Sequence, residues 1–525
     1  MTEKKITTER EDLTNLKQRH LNTLDEGRSE ATEKRHAKGY RTARENLADL
    51  VDENSFTEYG QLAVAAQRAR IDKDDLYIKT AADGIITGTA TINGAQHPDN
   101  CNAAVIINDY SVLAGTQGYF HHKKLDRILT LARDQKLPVV MYTEGGGGRP
   151  GDTDVTTQIA GLNIPSFAIW AALSGVVPRI AVNNGYCFAG NAALFGCADI
   201  TIATESSWIG MAGPAMIEGG GLGSFKPTEI GPIDVQSKNG VVDIVAKDEA
   251  DATVIAKKIL GVFQGDIDNW ECTDQSELQR LMPEDRRYVY DVRKIIRTIA
   301  DTNSCIELRN NDGRGIVTSF IRIEGKAVGL IANDCKVLGG AIDSDGAEKA
   351  ARFLQLCNGY NVPILSLCDT PGFMVGPDNE QEAAVRRLSR LFIAGAAIEV
   401  PLVTIFLRKG YGLGAMAMAG GSFVNPCYSA SWPSGEFGGM GLEGAVNLGF
   451  KKELDAEVDP AAKKELFNGL VEMMYDLGKA TEAAAYLEID AVIDPMETRA
   501  VVLKALKSSG SNRGATPSKR VVDTW

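Results

Sequence analysis

Two short stretches of the sequence end a buried strand in a cluster of glycine and other small residues. In residues 177–196, a strand over 179–183 leads into a tight turn at Gly185 and a helix from about Gly190. In residues 400–416, another strand leads into a second turn of this kind. The first backbone N–H groups of a helix have no partner inside the helix and lie at the positive end of its dipole. Each stretch therefore predicts a site that stabilises negative charge.

Such a turn has four possible uses. Glycines allow a helix to pack closely on a strand, and this purely structural interpretation stays open for either turn taken alone. Dinucleotide binding fits the G-x-G-x-x-A pattern from Gly410 to Ala415, but the acidic residue expected about 20 positions later is missing. A phosphate-binding P-loop is excluded because the chain has no G-x-x-x-x-G-K-[ST] motif. The fourth use is an oxyanion hole, in which backbone N–H groups hold a developing enolate.

Histidines are few and occur early in the chain. There are five, and none lies after His122. A Ser-His-Asp site at either glycine turn would have to borrow a histidine from the first quarter of the chain, and the G-x-S-x-G motif of serine hydrolases is absent. The shortage of histidine favours the oxyanion hole, because backbone N–H groups need no titrating side chain beside them.

Composition restricts the class of protein. The 525 residues carry a net charge of −13, and 44% of them are hydrophobic. These values are ordinary for a globular protein of more than one domain, and a chain this acidic is not built for general nucleic-acid binding. The nine cysteines form no C-x-x-C pair, so neither a zinc ribbon nor a disulfide framework is expected, and no metal site is predicted. No secretory signal or membrane span is recognisable, which predicts a cytoplasmic protein.

Strands alternate with helices, and the alternation is repeated. Residues 103–108 and 138–142 are predicted strands with a helix from about Gly115 between them, a pattern typical of an α/β fold. Matching pairs at an offset of 225 are Asn108-Asp109 with Asn333-Asp334 and Gly185-Tyr186 with Gly410-Tyr411. Landmarks in one order at a nearly constant offset indicate an internal duplication.

The duplication and the surrounding composition predict five segments. They are a helical arm over 1–82, a first α/β domain over 83–265, a helical linker over 266–313, a second α/β domain over 314–507 and a flexible tail over 508–525. Charged residues with Leu and Ala at helical spacing predict the helices of the arm.

Beyond these patterns, four stretches resemble a known family. They are residues 35–58, residues 174–185, residues 408–412 (Arg-Lys-Gly-Tyr-Gly) and residues 489–499. They are similar to the N-terminal arm, the CoA-side loop, the biotin-side loop and the C-terminal signature of the carboxyltransferase (beta) component of biotin-dependent acyl-CoA carboxylases, of the acetyl- and propionyl-CoA carboxylase type. The resemblance covers nearly the whole chain. It implies two tandem crotonase-like domains, the first on the acyl-CoA side and the second on the biotin side.

The resemblance also implies a mechanism and the residues that carry it. Carboxybiotin on a carrier protein releases CO₂, the biotin removes the α-proton of an acyl-CoA thioester, and the acyl enolate takes up the CO₂. One oxyanion hole would hold the thioester oxygen at Ala189 and Gly190. The other would hold the ureido oxygen of biotin at Leu413 and Gly414. Gly414 and Ala415 are the alternative pair, because the family has Gly-Ala where this chain has Leu-Gly.

Further residues resemble substrate-binding positions of the family. The loop of Gly146, Gly147, Gly148 and Arg149 would lie beside the acyl group, or else would be a tight loop braced by its arginine. Met416 stands where the family adjusts acyl size, although methionine also commonly fills cores. Compact cations suit phosphate groups, so the predicted helix with His121, Lys123, Lys124 and Arg127 could contact CoA. A solvated helix face is the more ordinary explanation of that helix.

Partners follow from what the sequence lacks. It contains no biotin-attachment motif and no ATP-grasp region, so a biotin carboxyl carrier protein and a biotin carboxylase are expected as other chains. The family implies a homo-hexamer, a dimer of trimers, with the active site between two subunits. Two alternatives stay open: a biotin-dependent acyl-CoA decarboxylase, and a non-catalytic CoA-binding scaffold.

Overall fold

A computed structural model describes residues 10–155, 162–509 and 522–523. Apart from the last two residues, the chain divides into two compact units, Met1–Gln264 and Gly265–Asp523. Most of the tail predicted over 508–525 lies outside the described residues. No helix formed by the described residues is long and apolar enough to cross a membrane.

The first unit has one sheet of seven strands, which are numbered in sheet order as well as in chain order. The strands are β1 Thr57–Glu58, β2 Ile85–Thr91, β3 Asn102–Asn108, β4 Val139–Tyr142, β5 Arg179–Phe188, β6 Ile200–Gly210 and β7 Ile244–Ala246. The helices are α1 Glu11–Leu21, α2 Ser29–His36, α3 Ala43–Leu50, α4 Lys73–Lys79, α5 Tyr119–Gln135, α6 Ser166–Ala172, α7 Gly190–Gly196, α8 Pro214–Gly219, α9 Ile233–Gln236 and α10 Glu249–Gln264.

The second unit has a sheet of eight strands. These are β8 Ile306–Leu308, β9 Ile316–Ile323, β10 Lys326–Asn333, β11 Ile364–Thr370, β12 Leu402–Tyr411, β13 Tyr428–Ser431, β14 Glu436–Gly438 and β15 Ala491–Val492. Its helices are α11 Leu278–Leu281, α12 Val292–Ile299, α13 Ser344–Gly359, α14 Pro377–Gln381, α15 Ala384–Ala396, α16 Gly412–Met418, α17 Leu442–Gly449, α18 Lys451–Ala456, α19 Pro460–Leu477, α20 Ala480–Ala485 and α21 Thr498–Ser508.

The two sheets share one topology, which confirms the predicted duplication. In each unit the first three strands are antiparallel, and the following strands are parallel. The parallel strands are continuous apolar runs because both faces of such a sheet are covered. Ile106, Met141 and Ala181 from successive strands are fully buried in the core of the first unit. The carboxyl ends of the parallel strands, together with the helices that follow them, form the edge at which a site can be built.

Strand register corrects one of the sequence matches. Val139 in β4 pairs with Arg179, whereas Ile364 in β11 pairs with Leu402. The connection in the second unit is two residues shorter, so the offset of 225 falls to 223 in β5 and β12. Gly185 therefore corresponds to Arg408, and the match of Gly185 with Gly410 was wrong. The sequence match paired two glycines because they are easily recognised, whereas the strand pairing shows which residues occupy equivalent positions.

Residues 266–313, predicted as a linker, are built into the second unit. α12 is buried in that unit's core, and β8 pairs with β9. Arg293 of α12 donates to Asp334 at 2.6 Å, as Arg28 ahead of α2 donates to Asp109 at 2.7 Å. The segment is thus the second unit's counterpart of the N-terminal arm.

Candidate active site

The first glycine turn begins where β5 ends. Helix α7 starts at Gly190, as predicted, after Ala189 takes a φ of 52° and a ψ of −119°. The N–H of Ala189 donates to the carbonyl of Gly210 at 3.1 Å, so it is not available to a ligand. The N–H of Gly190 has no acceptor among the described residues, as is usual for the first residue of a helix. Of the predicted pair, only Gly190 offers a free donor.

A second free donor comes from the glycine loop after β4. Gln117 donates its N–H to the carbonyl of Gly147 at 2.7 Å and accepts from the N–H of Arg149 at 2.8 Å. Asn191 in α7 accepts from the N–H of Gly147 at 3.0 Å. The N–H of Gly148, between these bonds, has no acceptor in the described part of the chain. Gly148 and Gly190 line one cavity of about 510 Å³, so its wall contains two amide groups with free donors.

Arg149 braces this loop from behind. Its side chain is only 4% exposed and makes an ion pair with Asp83. It also donates to the carbonyl of Thr116 at 2.8 Å and approaches Asp152 at 3.4 Å. Its donors are therefore largely committed to Asp83, Thr116 and Asp152, which anchor the end of the glycine loop and favour the bracing alternative.

The four candidate CoA-binding residues of the cationic helix α5 differ in burial. Lys124 is buried, and its Nζ donates to the carbonyls of Ala82, at 2.9 Å, and Ile85. Burial lowers its pKa to about 8. It therefore does not lie on a solvated face, so that prediction was wrong for Lys124, and its amine is already bound to two backbone carbonyls. His121 is also buried, with its N–H bound to Asp83. Arg127 lies over the ring of Tyr59 at 5.6 Å, and among these four residues Lys123 is the one that lines the cavity.

The second unit repeats the arrangement with different residues. Gly412 has a φ of 57°, like Ala189, so the free N–H of Leu413 corresponds to that of Gly190. Ile342 donates to the carbonyl of Gly372 at 3.0 Å and accepts from Met374 at 2.8 Å. These bonds repeat those of Gln117, and they leave the N–H of Phe373 without an acceptor among the described residues.

Sequence reasoning missed Phe373 because it looked for glycine. The available signal was the offset of 225, which places Phe373 opposite Gly148. Gly414 packs closely on the loop that holds Phe373: a β-carbon there would lie 2.7 Å from the carbonyl carbon of Gly372. Ala415 is fully buried, while Met416 is 36% exposed and lines a second cavity of about 610 Å³ in this unit.

A buried carboxylate lies beneath each turn. In the first unit Glu144 accepts two hydrogen bonds from Arg35 of α2, at 3.0 and 2.8 Å. Burial raises the pKa of Glu144 to about 7 although Arg35 opposes the shift. In the second unit Asp369 accepts from Arg408 at 2.9 Å and from the N–H of Lys409 at 2.9 Å. Charge-assisted bonds of this kind fix the strand ends that carry the amide donors.

Comparison with known proteins agrees with this geometry. The carboxyl transferase domain model matches residues 34–521, and the chain belongs to this family. It is 31% identical to the methylmalonyl-CoA carboxyltransferase 12S subunit of Propionibacterium freudenreichii subsp. shermanii, over 94% of this chain and 93% of that one. The predicted family, fold class and reaction class, carboxyl transfer with an acyl-CoA, are confirmed.

Two solved structures are similar to the chain. One is a single-chain, multi-domain long-chain acyl-CoA carboxylase, with 53% identity and a TM-score of 0.90 over 95% of this chain. This chain spans about half of that protein, 49% of its length. The other is the transcarboxylase 12S hexamer with methylmalonyl-CoA and methylmalonic acid bound, with 28% identity, a TM-score of 0.84, and coverage of 100% and 99% of the two chains.

Proposed function

We propose that the chain moves a carboxyl group between biotin on a separate carrier protein and the α-carbon of an acyl-CoA, with long-chain acyl groups as substrates. The observation that carries the proposal is the repeated pair of free amide donors, Gly148 with Gly190 and Phe373 with Leu413. Each unit has two donors for one oxygen atom, and the reaction has two ligands with an oxygen on which negative charge develops. A scaffold that only bound CoA would need the pair in one unit.

In the first unit the thioester carbonyl would accept from Gly148 and Gly190. As the α-proton leaves, charge moves onto that oxygen, and preorganised donors stabilise it more strongly than they stabilise the ground state. In the second unit Phe373 and Leu413 fit the ureido oxygen of biotin. Biotin supplies the carboxyl group and the base when bound, so the protein is required to orient both ligands and to hold charge.

The long-chain preference rests on the second unit's cavity and on similarity. The cavity of about 610 Å³ is lined by Met416 and by further apolar side chains, among them Phe423, Val424, Leu477 and Leu487. The similar single-chain structure is of a long-chain acyl-CoA carboxylase. We propose that the acyl tail of a substrate bound to one subunit enters this cavity of another. Reverse-direction assays with malonyl-, methylmalonyl- and longer carboxyacyl-CoA test the preference, and it is refuted if the short esters react faster.

The amide donors can be tested by one substitution with a matched control. Gly148→Pro removes the N–H, whereas Gly148→Ala keeps it. Alanine also fits, because a β-carbon at this position meets no atom within 4 Å. We expect Gly148→Pro to lower kcat roughly 10²–10³-fold, the usual value of one oxyanion donor, and Gly148→Ala to stay near wild type. The measurement is carboxyl transfer by the enzyme assembled with its biotinylated carrier. Equal activities in the two folded variants would refute the assigned donor.

A further inference from the structure

Three side chains form a hydrogen-bonded chain in the wall of the first cavity. Nδ1 of His122 lies 2.9 Å from Oγ of Ser166, and that hydroxyl donates to Oδ1 of Asp126. His122 is 7% exposed and Ser166 is fully buried. The transfer of the carboxyl group described above uses none of these three groups.

The direction of the bonds determines which ring nitrogen carries the proton. The Asp126 carboxylate only accepts, so Ser166 gives it the hydroxyl hydrogen and offers a lone pair to His122. Nδ1 of His122 must then carry hydrogen. Burial lowers the pKa of His122, which keeps the ring neutral at pH 7. Nε2 is therefore left as an acceptor.

Nε2 of His122 is available to a ligand. It has no hydrogen-bond partner among the described residues. Unlike Nε2 of His121, it is not completely buried. The residue lines the same cavity as Gly148 and Gly190. Phe167 connects the two places: its ring centroid is 5.9 Å from that of His122, and its Cζ would lie 3.2 Å from a β-carbon on Gly190.

We propose that Nε2 of His122 accepts a hydrogen bond from the amide N–H of the CoA arm nearest the thioester. The inference rests on the proposed function, which places the thioester oxygen at Gly148 and Gly190. That amide nitrogen is three bonds beyond the sulfur. An acyl chain has no N–H or O–H, and the second amide and the hydroxyl of the CoA arm lie further from the sulfur, so this amide is the donor nearest the thioester. His122 is then a substrate-binding residue, and Ser166 and Asp126 position it.

The test uses two minimal thioesters with the same acyl group. One is the N-acetylcysteamine thioester, which has the amide N–H, and the other replaces that N–H by an ester oxygen. Each is measured as a competitor of acyl-CoA with the assembled enzyme. One net hydrogen bond of about 0.5–1.5 kcal/mol makes the amide compound roughly two- to tenfold tighter in the wild type. His122→Phe should bring the ratio near one, and His122→Gln, which keeps an acceptor, should retain part of it.

The controls separate binding from folding. Ser166→Ala should reduce the ratio because it frees the imidazole to rotate. Lys123→Met should leave the ratio unchanged, since neither thioester carries a phosphate. With acyl-CoA turnover intact, three results would refute the hydrogen bond. They are a wild-type ratio near one, an unchanged ratio in His122→Phe, and failure of both thioesters to compete. Absence of acyl-CoA turnover in the wild type would instead refute the proposed function.

Discussion

At the scale of single residues, the two units support the same backbone geometry by different means. Gly185 has a φ of 80°, and a β-carbon on it would lie 2.5 Å from Oε1 of Glu144. The arginine that pairs with Glu144 therefore comes from the arm, as Arg35. In the second unit the corresponding strand position is Arg408 itself, which reaches Asp369 directly. The arginine of the pair thus comes from the arm in the first unit and from the strand in the second, where the hydroxyl of Tyr290, ahead of α12, also donates to Asp369 at 2.9 Å.

The raised pKa of Glu144 predicts a dependence of stability on pH. The pKa is about 7 in the folded chain, against an ordinary value of 4.5. The folded state binds the proton more tightly, so this group's contribution to stability is complete below pH 4.5 and is lost as the pH rises through 7. Glu144→Gln removes this contribution.

The measurement is the thermal unfolding midpoint of both proteins from pH 5 to pH 8. The midpoint of Glu144→Gln should rise relative to that of the wild type as the pH increases. A constant difference across this range would show that Glu144 does not titrate there.

At the scale of elements, α5 and α13 each use one buried lysine to hold the chain that leads from the first strand of the sheet into the second. Lys124 donates to the carbonyls of Ala82 and Ile85, and Lys349, at the offset of 225, donates to those of Arg309 and Asp312 at 2.7 and 3.0 Å. Burial lowers the pKa of both amines to about 8. A charge retained in this environment indicates that the carbonyls compensate for the lost hydration.

Replacing either lysine by methionine should destabilise its own unit. The change removes the charged donor from two buried carbonyls in each unit. One of them keeps a backbone donor, since the N–H of Ile85 binds the carbonyl of Ala82 and the N–H of Asp312 binds that of Arg309. Each lost hydrogen bond to the charged amine is worth about 1.5–3 kcal/mol. We expect a clear fall in the unfolding midpoint for Lys124→Met and for Lys349→Met, measured by calorimetry. Lys123→Met, one position away and exposed, is the matched control and should change the midpoint little. An equal fall of the midpoint for Lys123→Met would argue against this role of the buried lysines.

At the scale of the whole molecule, the second unit leaves large apolar side chains exposed. Leu413, Val424, Leu477, Tyr486 and Leu487 are each at least 60% exposed in the single chain. All of them except Leu413 line the second unit's cavity, and contiguous apolar surface of this kind usually marks an interface. The similar transcarboxylase 12S structure is described as a hexamer, which supports the proposal that copies of this chain cover the surface.

A charge in this surface should therefore weaken assembly. Leu487→Lys is expected to give a lower mass than the wild type by light scattering after size-exclusion chromatography, with unchanged circular dichroism. Val254→Lys, at an apolar residue of α10 that is 46% exposed, serves as the control. A wild type that is monomeric at assay concentration would refute the proposed hexamer.

The sequence by itself determined the repeated α/β pattern, the two glycine turns and the family. These are legible because strand periodicity, glycine turns and an internal offset are local properties of the chain. Only the tertiary structure decided which amides are free. The N–H of Ala189 is bound to the carbonyl of Gly210 on another strand, whereas that of Phe373 is free because its neighbours Gly372 and Met374 make the bonds to Ile342. Backbone donors leave no side-chain signature, so their availability depends on partners that folding brings together.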